Sequence, residues 1–201
     1  MKRICSILLT VFLILAVFTG CGYKTALPES ATDGTASTVE NTASLPETAR
    51  TINGVLQSFT ASTLDGKGFT VEKLAKYELT VINFWGTYCG PCIQEMPDLA
   101  ILKNSLPDNV NFITFCIDAE GNEDAAQEII DNAGLTATVI TNADGDFMDV
   151  LNQIQYIPTT LFIDKNGNIV GSEIIGGVDS VEQTYNAHIQ TALAEAAGDN
   201  G

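Results

Sequence analysis

Basic residues are scarce in this chain of 201 residues: nine lysines and arginines stand against 25 aspartates and glutamates, a formal charge of −16. So acidic a chain repels phosphate backbones, which argues against nucleic acid as a partner; the acidity itself is read as a means of staying soluble. Histidine is rarer still, with His188 alone, and of the cysteines Cys5, Cys21, Cys89, Cys92 and Cys116 only the last three lie beyond the N-terminal segment. A zinc site needs four ligands, commonly a second Cys pair or two histidines at matching spacing, so no metal is expected. The stretch DKNGN from Asp164 looks superficially like a calcium loop, but it lacks the required glycine and terminal glutamate and reads as a hairpin turn. Also missing is a long apolar run: the longest, Ile4 to Phe18, falls short of the roughly 20 residues that a membrane-crossing helix needs.

That short run has a role of its own. Lys2 and Arg3 precede it and small residues close it before Cys21, so residues 1–21 read as a secretion signal rather than a permanent span. The ending VFTGC resembles a bacterial lipobox, in which the chain is cut before a cysteine that then carries lipid. Thr19, Gly20 and Cys21 fit it, while Phe18 departs from the usual leucine. Residues 22–53 turn to Ser, Thr, Ala, Pro and Glu with almost no large apolar side chain, too little to offset chain entropy. They are expected to form a disordered tether with a typical span on the order of 30 Å. Residues 54–201 remain for one folded domain.

Within that domain the pattern alternates. A strand near Phe59 leads to a Gly-rich turn at Asp65 to Gly68 and a short helix from Val71 to Tyr77; LTVINFW is then a continuous apolar run, as in a strand buried on both faces. A helix is expected from Pro91 to Lys103, and VNFITFCID as a second buried strand. Asn122 and Gly134 bracket a further helix. TATVIT reads as a strand and GDFMDVLNQI as a short helix. TTLFID and NIVGSEII are expected as two strands joined at KNGN, and a last helix runs from Ser180 to Ala197 with a capping box in Asp179 and Glu182. Alternating strands and helices followed by a hairpin and a closing helix predict an α/β sandwich around a mixed sheet.

The chemistry centres on NFWGTYCGPC, residues 83–92. A Cys89–Cys92 disulfide would close a loop of a few residues and constrain the unfolded chain little, so the pair is poorly placed as a structural staple. A redox role has positive support. Cys89 falls at the start of the helix, where free backbone N–H groups and the helix dipole favour a thiolate, which makes it the expected nucleophile. Cys92, one turn on, is placed to attack the mixed disulfide. Pro91 suits the first helical turn. Cys116 lies in an apolar strand pattern and reads as a buried small hydrophobe.

FWGTYCGPC resembles the active-site loop of the thioredoxin superfamily, and YIPTTLFID, from Tyr156, resembles its cis-proline loop and the following strand. With Glu95 three residues beyond Cys92, the stretch VINFWGTYCGPCIQEMP is more similar to the membrane-tethered TlpA/ResA-like thiol–disulfide oxidoreductases than to cytosolic thioredoxin; the likeness runs from about Phe59 to Ala197. It implies a thioredoxin-like sandwich with helices flanking a central mixed sheet, and no cofactor beyond the cysteines. Cys89 and Cys92 match the redox pair and Pro158 the cis-proline facing it. Trp85, Gly90, Pro91 and Ile157 border the substrate groove, and Pro97 matches a helix-kinking proline. Gly176 and Gly177, which read as a tight bend, are expected beside the same groove. Asn83 stands where cytosolic thioredoxins carry a buried aspartate, and Glu95 is the candidate substitute, on the same helix face as Cys92 and able to relay a proton. Asn83 itself cannot titrate, so it is expected to affect stability without changing the pH profile as Glu95 would.

The expected activity is reduction of disulfides in exported proteins, supplied by a membrane electron donor. The Gly90-Pro91 pair between the cysteines is that of thioredoxin, whose couple is reducing at about −270 mV against about −120 mV for the oxidant DsbA. Two other readings stay open. A peroxiredoxin-like thiol peroxidase would need a threonine and proline ahead of a lone cysteine, and NFWGTYC lacks that proline. A non-catalytic binding module would have no use for an intact Cys pair.

Overall fold

The computed structural model describes residues 52–198. The expected signal segment with Cys21, and the tether up to residue 51, lie outside the described residues. The last two tether positions belong to the fold instead: Ile52 is buried in the core, and Asn53 exchanges hydrogen bonds with the Gln153 side chain at 3.0 and 2.7 Å.

The apolar run Leu79–Trp85 forms β3, with all seven residues buried, at the heart of the sheet. On one side it pairs in parallel with β4 (Val110–Cys116), which in turn pairs in parallel with β5 (Thr138–Ala143). On the other side it pairs antiparallel with β6 (Thr159–Asp164), and β7 (Ile174–Ile175) closes that edge. The antiparallel pair β1 (Thr60–Thr63) and β2 (Gly68–Thr70) extends the sheet beyond β5, giving the order β2-β1-β5-β4-β3-β6-β7. The predicted mixed sheet with flanking helices is the one observed. Side chains of successive strand residues point to opposite faces. Val81 and Trp85 pack with α2 (Gly90–Ser105), α3 (Glu123–Ala133) and α5 (Val181–Gly198); Ile82 and Phe84 pack on the other face with α1 (Val71–Leu74) and α4 (Asp146–Leu151).

Helix α3 ends as expected at Gly134, whose φ of 67° is a left-handed conformation that glycine adopts without strain. Three local expectations are revised. NIVGSEII is not one strand: Ile169 makes a single bridge to Ile163, the chain turns at Gly171 with φ 66°, and pairing resumes only at Ile174. A Cβ at Gly171 would come within 3.1 Å of Ala192, so the close approach of α5 sets that turn. The first helix stops at Leu74, short of Tyr77. The cap of α5 sits one residue later than read: Ser180 Oγ accepts from the Gln183 N–H at 3.4 Å, because Ser180 immediately precedes the first helical residue. The KNGN hairpin does form, with the Asp164 carboxylate accepting from the N–H groups of Asn166 and Asn168 at 2.9 and 2.8 Å.

Candidate active site

β3 delivers the loop 86–89 to the start of α2, and Cys89 is the residue that caps this helix. Its backbone is extended, with φ −86° and ψ 98°, and its sulfur accepts from the Cys92 N–H at 3.3 Å. The helix thus places a free N–H on the sulfur that is to carry negative charge, which favours the thiolate whenever the pair is reduced. Here Cys89 and Cys92 are joined as a disulfide, with Cα atoms 5.3 Å apart. Burial separates them: Cys89 keeps 7% of its surface exposed and Cys92 none. Ile157–Pro158 is a cis peptide, and the Ile157 carbonyl oxygen lies 3.6 Å from the Cys89 sulfur.

Residues that the sequence did not mark hold this loop. The Asp118 carboxylate, just past β4, accepts from the Thr87 N–H at 2.8 Å and from the Thr87 hydroxyl; although burial pushes its pKa up, these hydrogen bonds leave it below the ordinary aspartate value. Gly86 lies so close that a Cβ there would stand 3.2 Å from both Asp118 Oδ1 and Ile157 Cδ1. The parallel pairing of Trp85 with Cys116 brings Asp118 beside the loop, a proximity that no local pattern announces.

Trp85 departs from expectation. It is fully buried, packed in the core beneath the loop, and does not border the groove. As the last residue of a strand covered on both faces, it has no route to the surface. A groove of about 300 Å³ beside the pair is lined by Tyr88, Ile117, Leu151, Ile154, Gln155, Tyr156 and Ile157. Tyr88 and Tyr156 stand 71% and 67% exposed, an unusual placement for aromatics in a folded domain and one suited to contact with a partner. On the other side of the pair Pro91, Gln94, Glu95 and Asp98 face Gly177, Val178, Asp179 and Val181 across a second groove of about 220 Å³. Gly177 therefore sits beside the site, as expected.

Glu95 is 7% exposed, and its carboxylate accepts from the Asn83 amide at 3.1 Å. Burial pushes its pKa up to about 7, only partly offset by the Asn83 hydrogen bond. A carboxyl in that range takes and gives a proton near neutral pH. Asn83 is consequently coupled to the titration of Glu95, which revises the expectation that it would act on stability alone. The Asn83 amide also lies 3.1 Å from Thr160 Oγ1 and 3.4 Å from the Tyr185 hydroxyl. Cys116 is buried, its thiol pushed up to about 12 first by desolvation and then by Asp118, which makes it inert. His188 stacks on Phe162 and its Nδ1 lies 3.0 Å from the Ser172 carbonyl oxygen. Among the described residues no group of His, Cys, Asp and Glu could hold a metal, and no helix is long and apolar enough to cross a membrane.

A model of the Redoxin family matches residues 43–187, which takes in every element of the sheet and the cysteine pair. The chain belongs to the Redoxin family. Within the wider relationship, the thiol-disulfide oxidoreductase ResA of Halalkalibacterium halodurans is 30% identical over 114 residues, 56% of this chain and 62% of the relative. The sporulation thiol-disulfide oxidoreductase A of Bacillus subtilis is 25% identical over 118 residues, 58% of this chain and 70% of the relative. The chain thus spans less than two thirds of the first of these relatives. Among solved structures, that of MTB dsbF in its mixed oxidized and reduced forms aligns with a TM-score of 0.53 at 28% identity, over 69% of this chain and 96% of that one.

Proposed function

We propose that this Redoxin-family protein is an extracytoplasmic thiol–disulfide oxidoreductase that reduces disulfides in exported proteins. The observation that supports it most is the asymmetric pair at the start of α2: an accessible Cys89 whose sulfur accepts a helix N–H, and a buried Cys92 one turn behind. A membrane-held dithiol donor reduces the pair. The Cys89 thiolate then attacks one sulfur of the client disulfide, forming a mixed disulfide and releasing the first client thiolate. Cys92 gives its proton to Glu95 and attacks the Cys89 sulfur. The mixed disulfide breaks, the second client thiolate leaves, and the Cys89–Cys92 bond is restored with two electrons passed to the client. The client thiolates take up protons from Glu95 and water.

The exposed pair Tyr88 and Tyr156 gives the client a surface to rest on beside Cys89. Cys21, through a lipid, and the tether after it would hold the domain at the outer face of the bacterial cytoplasmic membrane. This reading expects the Cys92→Ser variant to trap clients as mixed disulfides on Cys89, released by dithiothreitol and identifiable by mass spectrometry. It also expects the reduced protein to reduce insulin and to be alkylated first at Cys89 near neutral pH. Absence of trapped protein together with no insulin reduction would leave the fold without this activity. Cys21→Ala should release the protein from membranes; unchanged retention would point to an uncleaved anchor.

A further inference from the structure

Four side chains from four elements meet inside the helix-covered face of the sheet: Asn83 from β3, Glu95 from α2, Thr160 from β6 and Tyr185 from α5. Thr160 is the register partner of Asn83, so the two project side by side toward the helices. Asn83, Thr160 and Tyr185 are 1% exposed or less, so bulk water does not compete for the hydrogen bonds among them, and Glu95 at 7% reaches only the edge of the groove. The Asn83 amide nitrogen carries two N–H bonds. One goes to Glu95 Oε1 at 3.1 Å. The other is left for Thr160 Oγ1 at 3.1 Å and the Tyr185 hydroxyl at 3.4 Å, which are themselves hydrogen-bonded at 2.8 Å. The Asn83 carbonyl oxygen has no hydrogen-bond partner. The orientation of this amide is therefore held entirely from its nitrogen end. Rotated by half a turn, it would set its oxygen against the carboxylate, acceptor against acceptor.

We propose that Thr160 and Tyr185 are positioning residues for proton transfer at Glu95: their paired hydroxyls hold the Asn83 amide so that it donates to the carboxylate, and thereby set the pH at which Glu95 releases its proton. The assignment of a proton-transfer role rests on the exchange reaction proposed above; the effect on Glu95 itself does not. Among the described residues no cation in the surroundings rivals this donor. Asp98 from α2 and Asp179 from the segment ahead of α5 line the same groove as Glu95, and no cation lines it. Tyr185 from α5 is the titratable group packed against it from the other side, and the Cys89–Cys92 pair at the start of α2, joined as a disulfide, does not titrate. Burial opposes ionisation of Glu95, and the Asn83 N–H favours it. Loosening the amide therefore moves the titration upward.

The experiment follows the Glu95 carboxyl carbon by NMR in the disulfide-bonded protein with labelled glutamate, Glu95→Gln providing the assignment. Disulfide reduction is measured in parallel from pH 5 to 9. Tyr185→Phe and Thr160→Val each remove one hydroxyl at nearly constant shape, and each is expected to raise the Glu95 midpoint by about half a pH unit. Asn83→Ala is expected to raise it by about one unit. Thr160→Ser, which keeps the hydroxyl, should restore the parent value; a change in thermal stability alone would not distinguish these variants. Midpoints unchanged in both Tyr185→Phe and Thr160→Val would overturn the proposal, whatever their stability. If the carboxyl midpoint moves as expected while the rate profile of Glu95→Gln matches the parent, the positioning effect stands and the proton step assigned to Glu95 falls.

Discussion

The two faces of the central sheet are built from the same strands and serve different ends. On one face Phe147 sits fully buried among Phe59, Phe84 and Phe115, with ring centroids 5.2, 6.3 and 5.4 Å away. On the other, the register places Thr160, Asn83 and Thr114 in a row across β6, β3 and β4, under Glu95 and Tyr185. There Asn83 Oδ1, Thr114 Oγ1 and Trp85 Nε1 are buried without a hydrogen-bond partner. Each such atom costs about 1–3 kcal/mol. The aromatic face stabilises the domain by burial, and the polar face gives up part of that gain to keep a titratable group dry beside the cysteines.

The contrast can be tested from its strongest consequence downward. Cys89→Ser should abolish disulfide exchange in an insulin assay while shifting the thermal midpoint little, since the lost bond closes a loop of only a few residues. Phe147→Ala, at the centre of the aromatic face, is expected to lose about 3–5 kcal/mol in urea unfolding. Exchange per folded molecule should be retained, and a comparable loss of rate would mean that the faces are not separable.

Glu95→Gln should act through pH. The folded value of about 7 lies above the ordinary 4.5, so the folded state keeps a proton that the unfolded chain releases between those values. This contribution to stability is full below about 4.5 and is lost as pH rises through about 7. The variant should therefore gain on the parent by up to about 3 kcal/mol as pH rises to mildly alkaline, read from unfolding curves at each pH. A constant difference would place Glu95 in water. The smallest effect belongs to Thr114→Val: exchanging an unpartnered buried hydroxyl for a methyl should stabilise by about 1 kcal/mol and leave the Glu95 titration where it is. A shifted titration would add Thr114 to the group that holds Asn83.

Residue order alone determined the strands that are apolar throughout, the helix that Cys89 caps and the left-handed stop at Gly134, because these depend on neighbours within a turn or two. It also marked Cys89, Cys92 and Glu95, whose spacing is local, while Pro158, far away in sequence, was marked only through the resemblance. Trp85 was misplaced by the resemblance, although the apolar run that it ends reads as buried; Asp118, Thr160 and Tyr185 were missed because what each touches is far away in sequence. Tyr185 reaches Asn83 across 102 positions and Asp118 reaches Thr87 across 31. A tyrosine or threonine in an amphipathic pattern reads as ordinary core, and only the sheet register and the seating of α5 decide that its hydroxyl meets an amide. Sequence sets which groups can exchange electrons and protons; packing sets their distance, dryness and charge, which govern when they do so.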